Sequence, residues 1–118
     1  MTIKEWQTSI HNWAKSKGWY DTERMCGDFL SNIHCEISEA WQEFRNGQNL
    51  NEVYYKDIYS DQGIEIDIKP EGFPIELADA VIRIFDYAEF LEIDLEAVMK
   101  EKMQYNERRE YRHGGKKV

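Results

Sequence analysis

Asn32-Ile33-His34-Cys35-Glu36-Ile37-Ser38-Glu39-Ala40-Trp41-Gln42-Glu43-Phe44 is the stretch on which the reading of this chain turns. Apolar residues at 30, 33, 37, 41 and 44 recur with a helical period and predict an amphipathic helix. Beside that arc, Glu36, Glu39 and Glu43 stand at i, i+3 and i+7, so their carboxylates share one side of the rod. Like charges at this spacing repel by roughly a few tenths of a kcal/mol per pair unless something neutralises them. A bound cation and plain solvent are the two neutralisers, and the stripe alone leaves both open.

A second acidic stripe bears on that choice. Pro74-Ile75-Glu76-Leu77-Ala78-Asp79-Ala80-Val81-Ile82-Arg83-Ile84-Phe85-Asp86-Tyr87-Ala88 is the most apolar helix of the chain. At about 100° per residue, Glu76, Asp79, Arg83 and Asp86 fall within a sector of roughly 80°, and the rest of the circumference is apolar. A helix so nearly surrounded by apolar positions keeps its narrow polar strip as a solvent seam or as the wall of a site. Two acidic i, i+3 pairs on separate helices, Glu36 with Glu39 and Glu76 with Asp79, offer an oxygen-only set suited to hard Mg²⁺ or Mn²⁺.

Glu36-x-x-Glu39 followed by Glu76-x-x-Asp79 resembles the ExxE…ExxD signature of the all-α, MazG-like nucleoside triphosphate pyrophosphohydrolases. The phrase Pro70-Glu71-Gly72-Phe73-Pro74-Ile75-Glu76-Leu77-Ala78-Asp79 is similar to that family, as is the ending Lys102 to Lys116. The resemblance runs over nearly the whole chain in the right order. It departs at Cys35, where many members carry a further Glu, and in residues 47–73, which are long for the simplest members. It implies an all-α fold, a four-helix MazG-like bundle with a small β-hairpin or loop insertion between helices 2 and 3. It also implies a pocket beside a subunit interface.

The remaining punctuation fits four helices. Thr2 with Glu5 forms a capping box for the first, whose apolar edge is Ile3, Trp6, Ile10 and Trp13; the two tryptophans are expected in the core. Gly18 ends it, and Asp21 or Thr22 is placed to cap the second helix, which runs to about Arg45. Val53–Tyr59 and Ile64–Ile68 predict two short strands around Ser60-Asp61-Gln62-Gly63, with a mobile loop as the alternative. Pro74 suits the first turn of the third helix, which ends near Leu91. Asp94 caps a fourth through Leu95, Val98, Met99 and Met103. Lys102, Asn106 and Arg109 lie at i, i+4 and i+7 on its face, either an exposed polar face or a binding one, and residues 111–118 form a basic C-terminal tail.

Composition bounds the function. The 118 residues make one domain, 42% hydrophobic and 14% aromatic, which excludes a disordered chain. A net charge of −8 argues against a general nucleic-acid or anionic-membrane binder. Residues 108–118 nevertheless hold five Lys or Arg and one acid, a net of +4 that leaves −12 for residues 1–107. Cys26 and Cys35, about 13.5 Å apart on one helix, are too distant for a disulfide. Reduced cysteines, no apolar run of membrane length and no signal peptide predict a cytoplasmic protein. His34 and Cys35 point about 100° apart and lack zinc partners, and there is no GxxxxGK[ST] phosphate loop.

The resemblance thus implies an Mg²⁺-dependent (Mn²⁺ as substitute) nucleoside triphosphate pyrophosphohydrolase that yields a nucleoside monophosphate and pyrophosphate. The metal set is Glu36, Glu39, Glu76 and Asp79, with Glu36 or Glu39 free to take a proton from water. The resemblance gives the phosphate oxygens to Lys102, Asn106 and Arg109, with Arg112 and Lys116 closing over them. Trp19, Trp41, Tyr54, Tyr55 and Phe73 are the aromatic candidates to border a base. The apolar breadth of the third helix exceeds what a short four-helix chain covers, which predicts a homodimer or a dimer of dimers. The alternative is a non-catalytic helical dimer that senses nucleotides or binds a partner.

Overall fold

Thr2 starts the first helix as its sequence predicts. Its hydroxyl oxygen accepts from the Glu5 N–H at 3.1 Å, and the Glu5 carboxylate accepts from the Thr2 N–H at 2.8 Å. Two donors of the first turn are thereby satisfied. The computed structural model describes residues 1–118 and orders them as α1 (Ile3–Ser16), α2 (Cys26–Arg45), β1 (Tyr54–Tyr59), β2 (Glu65–Glu71), α3 (Phe73–Phe90), α4 (Leu95–Glu107) and the short α5 (Arg112–Gly115). The fold is mainly α with a two-stranded antiparallel insertion between α2 and α3. No helix is long and apolar enough to cross a membrane. Two compact units make up the chain, Met1–Lys17 with Phe85–Val118, and Gly18–Ile84.

In the first unit, α1 buries Gln7, Ile10 and Ala14, while Trp6 and Trp13 are about half exposed. The expected tryptophan core is thus corrected. The cause lies in Gln7, whose Nε2 donates to the Ile93 carbonyl at 2.8 Å and whose Oε1 accepts from the Leu95 N–H at 3.1 Å. One amide side chain satisfies a carbonyl of the turn before α4 and the N–H of that helix's first residue, and this draws the Gln7 side of α1 inward. Asp94 caps α4 by accepting from the Ala97 N–H at 3.1 Å.

In the second unit, α2 begins later than Asp21 or Thr22. Met25 occupies the cap position and its N–H donates to the Asp28 carboxylate at 2.9 Å. The preceding turn is held by Arg24, whose guanidinium lies 3.9 Å from the centre of the Phe29 ring and donates to the Trp19 carbonyl at 3.3 Å. An amphipathic helix ordinarily turns its apolar arc to the core. Here α2 buries Phe29, Glu36 and Ala40, and leaves Leu30, Ile37, Trp41 and Phe44 about half exposed. That outward apolar face lies about 100° round the rod from the buried one.

The insertion is a hairpin rather than a loop. Tyr54 pairs with Glu71, Lys56 with Lys69 and Ile58 with Asp67, and a bulge intervenes before Tyr59 pairs with Glu65. Its turn is closed by the Ser60 N–H on the Ile64 carbonyl at 2.8 Å and the Gly63 N–H on the Ser60 carbonyl at 2.9 Å. Gly63, at φ +78, takes the left-handed conformation that the turn requires. β2 leads almost directly into α3, with only Gly72 between them.

Candidate metal centre

Glu36 comes from the buried side of α2, and Glu76 and Asp79 from successive turns of α3. One carboxylate oxygen from each lies within 4.8 Å of the others. Glu36 is only 7% exposed, while Glu76 and Asp79 are half-buried. The first part of the α3 polar strip, Glu76 and Asp79, is thus partly withdrawn from solvent beside Glu36. Oε2 of Glu76 is buried and has no hydrogen-bond partner. A buried acceptor left so is costly unless a proton or a cation meets it.

One cation is already built in. Arg83, one turn beyond Asp79 on α3, donates from Nε to Oε1 of Glu36 at 2.7 Å. Burial pushes the Glu36 carboxyl up, but the Arg83 hydrogen bond and charge, together with the contact to Glu39, outweigh it and hold the group below its usual value. Glu76 goes the other way. Burial, then the hydrogen bond and charge of Glu39 and the neighbouring Glu36 and Asp79, push it up to about 8. Asp79 is raised by burial and by the Glu36 charge, which Arg83 and Lys69 partly offset. At neutral pH the trio thus holds a proton on Glu76, in the place where a cation would relieve the same repulsion.

The four predicted acids stand in two roles. Glu36, Glu76 and Asp79 form the tight set; Glu39 is exposed and reaches Glu36 and Glu76 from the rim. Glu43, the third acid of the α2 stripe, is held elsewhere by the Tyr54 hydroxyl. Asp86, last in the α3 strip, pairs with His11 Nδ1 at 2.8 Å. Cys26 and Cys35 are free thiols at exposed positions.

Two residues of this region were not among the predicted ligands. Arg83 was visible as a member of the polar strip, four residues after Asp79, and its sign was the available signal. Lys69 had none, because its influence on Asp79 depends on how β2 lies beside α3; along its own strand it pairs with Glu71 at 3.4 Å.

The predicted basic residues lie along α4 and the segment after it. Lys102 and Arg109 both approach the Tyr105 ring, at 4.7 and 5.6 Å from its centre, and Arg108 joins them at 5.9 Å. Arg109 lies beyond the last turn of α4, so the expected helical face of Lys102, Asn106 and Arg109 holds for its first two members only. The Asn106 amide meets the Met103 sulfur at 3.7 Å. Arg112 packs near the Tyr111 ring, and the Lys116 N–H donates to the Arg112 carbonyl at 2.8 Å. A cavity of about 290 Å³ is lined there by Tyr105, Arg108, Arg109, Glu110, His113 and Gly114.

Comparison with family models, with curated proteins and with solved structures gives no match. Three carboxylates with no sulfur or imidazole are a donor set that could hold a hard divalent cation. Octahedral Mg²⁺ at about 2.1 Å spaces its ligands roughly 3 to 4 Å apart. The three carboxylate oxygens, all within 4.8 Å of one another, lie near that range.

Proposed function

We propose that the chain is an Mg²⁺-dependent nucleoside triphosphate pyrophosphohydrolase of MazG-like fold, cleaving between the α and β phosphates. The observation that carries the reading is the approach of Glu36, Glu76 and Asp79 within 4.8 Å of one another, together with a buried, unpartnered Oε2 on Glu76. Mg²⁺, with Mn²⁺ as substitute, supplies a Lewis-acid clamp on phosphate oxygens and acidifies a bound water.

Within this reading Glu36, Glu76 and Asp79 hold the metal. Glu36 already gives one oxygen to Arg83, so Glu39 at the rim is the carboxylate that takes the proton from water. The resemblance assigns the phosphate oxygens to Lys102, Asn106 and Arg109, with Arg112 and Lys116. The shared approach of Lys102, Arg108 and Arg109 to Tyr105 supports a concentration of positive charge around that ring. A second copy of the chain would cover Leu30, Ile37, Trp41 and Phe44 on α2 and Leu77, Val81 and Ile84 on α3, all of them exposed apolar positions.

The deciding experiment incubates the protein with each nucleoside triphosphate and Mg²⁺ and measures pyrophosphate. Release of pyrophosphate, abolished by Glu39→Ala and Asp79→Ala with circular dichroism unchanged, is the expected result. Binding of nucleotide without turnover would reject the enzyme and favour the sensor.

A further inference from the structure

Removing the Arg83 charge has two opposite consequences for a cation arriving among the acids. It makes the site more negative, which favours the cation. It also frees Glu36, a long side chain that then has several rotamers in place of one. The geometry decides between them. Arg83 meets Glu36 through Nε, a single planar donor rigidly set on its stem, at a short 2.7 Å. Glu36 is among the most buried polar side chains of the chain, whereas the Arg83 side chain is 39% exposed. The arginine charge is therefore partly screened by water, and the orientation it imposes on a buried carboxylate is not.

Resting on the metal reading above, we propose that Arg83 is a positioning residue for that centre: by occupying Oε1 of Glu36 it keeps the second carboxylate oxygen turned toward Glu76 and Asp79. It acts through Glu36 and does not itself touch the ion. Outer partners of metal-ligating carboxylates have this effect generally, and losing one weakens metal affinity by about 10- to 100-fold. A mere counter-charge would do the reverse, since its removal tightens binding.

Isothermal titration of the full chain with Mn²⁺ alone distinguishes the two. Arg83→Gln is expected to weaken Mn²⁺ binding at least about tenfold, and Arg83→Lys, which keeps the charge but not the planar donor, to recover only part of the loss. In an E36Q background, Arg83→Gln should cost nothing further, because its route to the ion is gone. Unchanged or tighter binding by R83Q overturns the proposal, as does an equal loss in the E36Q background. Should R83Q fail to fold by circular dichroism, R83K decides: weaker binding than wild type supports positioning, equal or tighter binding rejects it. Wild-type protein that binds no Mn²⁺ would sink the metal reading itself, whereas binding that ignores Arg83 sinks only this inference.

Discussion

The Tyr54 hydroxyl lies 2.9 and 3.0 Å from the two carboxylate oxygens of Glu43, so the first residue of β1 is tied to the last turn of α2. That hydrogen bond, with burial and the charges of Glu43 and Glu71 adding to it, pushes the Tyr54 phenol up to about 12. The hairpin leans on this tie because much of its surface is open: every residue of β2 but Glu71 is exposed. Tyr54→Phe keeps the ring and removes only the donor. Backbone amides of residues 54–59 and 65–71 should then exchange faster, with α1 and α4 unaffected, as hydrogen-exchange mass spectrometry would read.

Glu76 makes the metal-free chain sensitive to pH in a definite direction. Its folded carboxyl titrates at about 8 against a usual 4.5. The folded state therefore holds a proton between those values that the unfolded chain has released. Stability from this group is complete below about pH 4.5 and lost as pH rises through 8. Asp79, also raised, adds to the same trend, while the lowered Glu36 acts oppositely and only as pH falls below its usual range. Thermal melts without metal should fall from pH 5 to pH 8, and saturating Mn²⁺ should flatten that slope. A flat metal-free profile would contradict the arrangement.

The same repulsion predicts what neutral substitution does. Glu76→Gln removes a raised, buried carboxyl and the uncompensated oxygen that goes with it. Metal-free E76Q should melt above wild type at pH 8, yet bind Mn²⁺ more weakly by an order of magnitude or more, since one anionic ligand is gone. Stability gained where metal affinity is lost separates a ligand from a structural acid.

Local signals in the sequence carry over well, and long-range ones do not. Thr2 with Glu5 and Asp94 with Ala97 are contacts at three residues' separation, and both form as their spacing predicts. Ser60 to Gly63 turns the hairpin for the same reason. Gln7 reaches partners 86 and 88 residues away, and nothing near it in sequence announces that it displaces Trp6 and Trp13 from the interior. On α2 two arcs overlap, Phe29, Ile33, Glu36 and Ala40 beside Leu30, Ile37, Trp41 and Phe44. Periodicity finds the helix but does not choose the arc that faces inward, because a polar residue turned to a partner can outrank an apolar one. The acidic pairs were legible from i, i+3 spacing; their meeting with Arg83 required the tertiary structure.

The outward arc of α2 predicts association. Trp41 and Phe44 stack at 5.5 Å, and Trp41 is 56% exposed. A patch of large apolar side chains on two neighbouring stretches of sequence is characteristic of a subunit interface. Light scattering should give a dimer or tetramer for the wild type, and Trp41→Glu should shift it toward the monomer. Wild-type protein that stays monomeric at tens of micromolar would leave this face without its second copy.

Gly72 sets the entry into α3 and with it the position of Glu76 and Asp79. It is buried at φ +123, and its carbonyl accepts the Glu76 N–H at 3.1 Å. A Cβ at this position would run into the Glu52 carbonyl oxygen, which is backbone and cannot swing aside. Gly72→Ala combines that clash with a left-handed conformation an L side chain resists, a cost of roughly 2–4 kcal/mol. Because the strain falls four residues before Glu76, Mn²⁺ affinity should decline along with the melting temperature. Gly63→Ala, strained at φ +78 but in open space at the hairpin turn, is the matched control and should lower stability less without touching the metal.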